Sequence, residues 1–85
     1  MAKVNSKIEV RPLYEIASEI KSNWESWRKS YARDYLEAMS ELSSIDDNYF
    51  FDSAKSIVLY FLANAQSWRG EVARRIKAEL KAMVA

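Results

Sequence analysis

Residues 13–42 read LYEIASEIKSNWESWRKSYARDYLEAMSEL, and their apolar spacing decides the fold. Leu13, Ile16, Ile20, Trp24, Trp27, Tyr31, Tyr35, Ala38 and Leu42 follow one another at steps of 3, 4, 4, 3, 4, 4, 3 and 4. That rhythm is the mark of an amphipathic helix. No Gly or Pro interrupts it. One long helix satisfies the pattern. So do two helices parted near Ser22-Asn23 or near Ser30, because Ser and Asn are natural N-caps. A long lone helix is unusual in so small a domain, which favours a break or bend. Leu36 and Met39 widen the apolar face of the second half.

Outward from this stretch, the rest of the chain also reads as helix. One Gly and one Pro in 85 residues leave few element breakers. Pro12 suits a first helical position, where its missing N–H is not needed. The segment 43–48, SSIDDN, is the clearest loop, and Asp47 or Asp52 can cap the helix that follows. That helix carries Ile57 to Ala63, apolar on every side, which implies a central position. Ser67 can cap a last helix from about Trp68 to Met83, with Gly70 in its first turn. Residues 1–10 alternate weakly and imply an extended or frayed arm. The expected architecture is a single all-α domain, a small bundle of three to four helices.

Composition narrows the chemistry. The chain has no His and no Cys. It therefore lacks the usual general base, the commonest metal ligand, any thiolate site and any disulfide. Glu37 and Glu41 lie on one helix face as solubilising charge rather than across a cleft. The acidic loop from Asp46 fails as a calcium loop, since Phe51 stands where Gly is required and Ile57 where Glu is. A non-enzymatic protein without cofactor or metal is expected. No apolar run approaches the ~20 residues of a membrane span, and no apolar signal core opens the chain. These features imply a soluble, cytoplasmic protein.

Charge is unevenly spread within a total of +1. Residues 1–33 hold seven basic and four acidic side chains. Residues 34–52 hold six acidic and no basic ones, and residues 53–85 hold six basic and two acidic ones. Arg74, Arg75, Lys77 and Lys81 on the last helix form a candidate phosphate-binding stripe. The near-neutral total and the interspersed Glu71 and Glu79 argue against strong nucleic-acid binding.

The aromatic stripe has two readings. Residues at this spacing usually face a core. Yet Tyr, Trp, Met and Arg also dominate interface hot spots. Trp24, Trp27, Arg28, Tyr31, Tyr35 and Met39 together have that composition, and they are the candidate contact surface for another protein. Self-association through the same stripe is the alternative, since a second copy would supply core that a short chain lacks.

The stretch 49–84, YFFDSAKSIVLYFLANAQSWRGEVARRIKAELKAMV, resembles small uncharacterised helical proteins of phages, prophages and mobile elements. So do RPLYEIASEIKSNW at 11–24 and YLEAM at 35–39. The resemblance implies a compact helical domain and brings no catalytic residue. Residues 25–34, ESWRKSYARD, depart from it, for a looser linker with Gly or Pro is expected there. That departure fits natural divergence, or a scaffold resurfaced to bind a target.

Overall fold

A computed structural model describes residues 10–85. The expected arm over residues 1–10 lies outside the described residues apart from Val10, which is exposed. The chain is mostly helical. Helix α1 spans Leu13–Asn23, α2 Arg33–Met39, α3 Ala54–Asn64 and α4 Glu71–Val84. A single 3-10 turn, Trp27–Lys29, lies between α1 and α2. Two short strands, β1 (Asn48–Tyr49) and β2 (Asp52–Ser53), form an antiparallel hairpin before α3. This hairpin amends the all-α expectation.

The long apolar stripe is broken, and the break shifts its phase. Helix α1 ends where Trp24 turns extended, at φ −99° and ψ 93°. When helix resumes, the buried residues are Ala32, Leu36, Ala38, Met39 and Leu42. Ala38 and Leu42 keep to the projected stripe, but Ala32 and Leu36 take the inward places one residue after Tyr31 and Tyr35. One residue is ~100° of helix rotation, enough to carry a side chain from core to solvent. Ser30 fixes the new phase: its hydroxyl donates to the Trp27 carbonyl at 2.8 Å and accepts from the Ala32 N–H at 3.2 Å. Local bonds of this type let Ser compete with helix.

Other boundaries also differ from expectation. Pro12 is the N-cap of α1 rather than its first residue, and its carbonyl accepts from Glu15 and Ile16. The first two amides of α1 donate to loop carbonyls, Leu13 to Ser43 at 3.0 Å and Tyr14 to Leu42 at 2.8 Å. Orphan helix donors are thereby satisfied by the loop. Ser53, not Asp47 or Asp52, caps α3, accepting from the Ser56 N–H at 3.1 Å. Helix α4 begins at Glu71, so Ser67 does not cap it and Trp68 belongs to the connector. Gly70 is its N-cap at φ +112°, a conformation that favours glycine.

The core is one cluster drawn from all four helices and the connectors. Leu13, Ile16 and Ile20 of α1, Leu36 and Met39 of α2, Ile57, Val58 and Phe61 of α3, and Ile76 and Leu80 of α4 belong to it. At one end, Trp24 stacks on Trp68 with centroids 5.7 Å apart, and Phe61 meets both edge-on at 6.4 Å. The Trp68 indole N–H donates to Asn23 Oδ1 at 2.8 Å, satisfying its polar atom. Helix α3 is central but not buried all round: Leu59 and Tyr60 are exposed.

Ion pairs close the other side. Arg11 grips Glu79 with two bonds, at 3.0 and 2.8 Å, and Glu19 with one at 2.9 Å. Arg75 bonds the second Glu19 oxygen. These donors hold the Glu19 carboxyl below the usual range, Arg75 contributing most and Arg11 next. Helices α1 and α4 are thereby clamped at the segment that precedes α1.

The fold has two chemically distinct ends. Helix α3 runs from the hairpin toward Trp24 and Trp68, and α4 runs back. The hairpin end also holds the start of α1 and the loop 42–47. The opposite end holds the segments 23–33 and 64–70.

Candidate functional site

Within the described structure the six expected contact residues divide between core and surface. Trp24 and Trp27 are each only 5% exposed, and Met39 is fully buried. These three are corrected from contact residues to core. The Trp27 ring lies beneath two cations, with Lys21 Nζ at 4.7 Å and the Arg28 guanidinium at 4.6 Å from its centroid. Such cations roof an aromatic face and hold it in place. Arg28 is exposed, Tyr35 half-buried, and Tyr31 90% exposed.

The surface members gain a partner that periodicity did not single out. Tyr35 packs on Tyr60 of α3, ring centroids 5.4 Å apart and tilted by 36°. Tyr31 opens onto a shallow groove whose far wall is Ala63 and Asn64. The Asn64 amide donates to the Tyr60 carbonyl at 2.8 Å, which fixes that wall. A second shallow depression joins Tyr31 to Arg28, Arg33 and Asp34. The Tyr35–Tyr60 pair joins α2 to α3, and Tyr31, in the turn before α2, borders the neighbouring groove with Arg28 and Arg33 beside it; we call the three tyrosines the tyrosine face. Sequence reasoning did not separate Tyr60 from its apolar neighbours; in the structure Ala54, Ile57, Val58 and Phe61 form the buried line of α3, and residue 60 lies well off it.

The basic stripe of α4 is largely engaged. Arg75 bonds Glu19. Lys77 donates to the carbonyls of Ala65 and Trp68, at 2.8 and 2.6 Å, tying α4 to the connector after α3. Burial, and then the nearby charges of Lys81 and Arg69, lower its pKa. Of the four residues proposed for phosphate contact, only Arg74 and Lys81 have no ion pair or side-chain hydrogen bond among the described residues.

Sequence reasoning missed the hairpin tip. Tyr49 pairs with Asp52, leaving Phe50 and Phe51 as a two-residue turn. Phe50 is 83% exposed and Phe51 is at the fully exposed limit of 105%. Phe50 also has φ +56°, the only positive value at a non-glycine position among the described residues. Two-residue hairpin turns favour Gly or Asn in that conformation, so Phe-Phe carries no hairpin signal. The base of the hairpin is well held. Asp47 Oδ2 accepts the amides of Ser43 and Ser44 at 2.9 and 3.0 Å, and the Asp47 carbonyl accepts from Ala54 at 2.8 Å. The two amides keep the Asp47 carboxyl below its ordinary range, Ser44 acting more strongly than Ser43. One available signal was a pair of adjacent apolar residues inside an acidic loop.

Among the described residues, no helix is long and apolar enough to cross a membrane. No family model matches this chain, and neither a curated protein nor a solved structure does.

Proposed function

We propose that this chain is a non-enzymatic protein-binding module whose contact surface is the tyrosine face of α2 and α3. Tyr31, Tyr35 and Tyr60 supply the centre, and Arg28 and Arg33 the rim. The observation that carries this reading is Tyr31. Its ring is 90% exposed on a backbone fixed by Ser30. A large side chain held out from a rigid turn has already lost part of the entropy that binding would otherwise cost. Tyrosine adds wide contact area with few rotatable bonds and a hydroxyl for the wet rim. Arg and Tyr are enriched at hot spots. Beneath the face, Trp24, Trp27 and Met39 act as support, holding the platform rather than touching the partner. The phage-type resemblance, in a natural or a resurfaced chain, belongs to the same proposal and implies action by contact.

Site-specific photocrosslinking tests this. A benzophenone amino acid replaces Tyr31 in one variant and the exposed Ala82 of α4 in another. The proposal expects one discrete crosslinked protein from position 31 and none in common with position 82. The same products from both positions, or none from 31, would overturn it.

A further inference from the structure

The two ends of the molecule are opposite in charge. At the hairpin end, Phe50 and Phe51 project from an anchored base, flanked by exposed Asp46 and Asp52, with Glu41 on the adjoining turn. Lys55 is the only basic side chain in the segment 41–56. At the opposite end, an open cleft is lined by Asn23, Trp24, Ser26, Ser67 and Trp68, with Arg28, Lys29 and Arg69 on its walls and Glu25 as its one acid. Arg28, Lys29 and Arg69 make no ion pair among the described residues. An exposed apolar pair on a strained turn is a poor choice for solubility or for folding. Strain of this kind is a pointer toward recognition.

We infer that the Phe50-Phe51 tip of one copy docks into the Arg28–Lys29–Arg69 cleft of the next, in a head-to-tail self-assembly. Guanidinium groups stack favourably on aromatic faces, and the Arg69 and Arg28 side chains, the latter over Trp27 in the free chain, line the cleft that the two exposed rings would enter. The acidic flank of the tip meets the basic walls of the cleft, which sets orientation. Donor and acceptor surfaces differ, so the contact is heterologous and propagates instead of closing as a symmetric pair. A single hairpin tip covers little area, so each junction is weak and assembly needs high concentration. The cleft shares Arg28 with the rim of the tyrosine face, but self-assembly is read on this chain alone and partner contact is not, so the failure of one is distinguishable from the failure of the other.

Complementation of two variants is the test. The tip variant carries Phe50→Gly and Phe51→Ser. Glycine suits φ +56°, so the hairpin is not put at risk. The cleft variant carries Arg28→Glu and Arg69→Glu. Light scattering is run on each across a concentration series at low salt, after circular dichroism confirms folding. The wild-type chain is expected to rise above its monomer mass of 9.9 kDa, and to fall back in roughly 0.5 M salt, where the Debye length shortens. Each variant alone is expected to stay monomeric. Their mixture is expected to form a one-to-one dimer and stop, because only one intact tip and one intact cleft remain. A wild-type chain that stays monomeric at millimolar concentration overturns the inference. So does assembly that survives in either variant, or a mixture that fails to pair.

Discussion

Trp24 and Tyr31 lie on one projected stripe, yet the fold assigns them opposite roles, and alanine at each separates those roles. Trp24 is 5% exposed, stacks on Trp68 and meets Phe61 edge-on. Removing a buried Trp side chain costs about 3–5 kcal/mol, from lost transfer energy and the cavity left behind. A domain of this size is stable by about 4–13 kcal/mol in all. Trp24→Ala therefore loses a large share of the total and unfolds in buffer if the wild type lies at the low end of that range. Tyr31→Ala removes a ring that is 90% exposed, and its cost should stay within about 0.5 kcal/mol. Urea titration followed by far-UV circular dichroism reads both. With a slope of about 1 kcal/mol per molar, the Trp24→Ala midpoint should fall by at least about 3 M, while that of Tyr31→Ala hardly moves. A cost below about 1 kcal/mol for Trp24→Ala, or above about 2 kcal/mol for Tyr31→Ala, would refute the division of the stripe into core and surface on which the site rests.

Three further outcomes follow from particular contacts. Phe50→Gly should leave the thermal midpoint unchanged or raised, because relief of about 1–2 kcal/mol of left-handed strain offsets glycine's extra entropy of about 0.5–1 kcal/mol and the lost edge contact with Tyr49. A clear fall in a melting scan would show that Phe50 is structural. Glu19 is held below its ordinary pKa by Arg75 and Arg11, so its contribution is complete above about pH 4.3 and is lost as pH falls through the lower folded value. Partial exposure makes the effect modest and sensitive to salt. Wild type should lose more stability than Glu19→Gln between pH 6 and pH 3, roughly the span of carboxylate titration; equal losses would remove the clamp from the account. Lys77→Met should loosen the connector after α3, since the carbonyls of Ala65 and Trp68 lose their shared donor. Faster amide exchange at residues 65–70 checks this, and unchanged exchange contradicts it.

What the sequence disclosed depended on how far each signal acts. Helices α1, α3 and α4 announce themselves through runs of good helix formers and apolar lines that close on a single core. Spacing alone could not show where the long stripe changed phase. That depends on Ser30 bonding to both Trp27 and Ala32, a local competition that leaves no mark in a 3-4 rhythm. After the break Tyr31 is exposed and Tyr35 half-buried, while Trp24, Trp27 and Met39 are buried. Long-range geometry was less legible still. Nothing in the order of residues brings Tyr60 against Tyr35, and Lys77 reads as solvent-facing until the connector folds over it. The hairpin was hidden because its turn breaks the usual rule for residues with positive φ. Local propensity failed at Phe50 because the anchored base around Asp47 overrides it. Places where tertiary context forces an unfavourable residue are where function is to be sought.

The contact we propose is made by the tyrosine face and not by the tryptophans below it. The protein crosslinked from position 31 is titrated against wild type, Tyr31→Ala, Tyr60→Ala and Lys81→Ala, each first shown to be folded. The account predicts that each tyrosine substitution weakens binding by more than about 1 kcal/mol, roughly fivefold or more, and that Lys81→Ala leaves it unchanged. Equal affinity for all four proteins would contradict it.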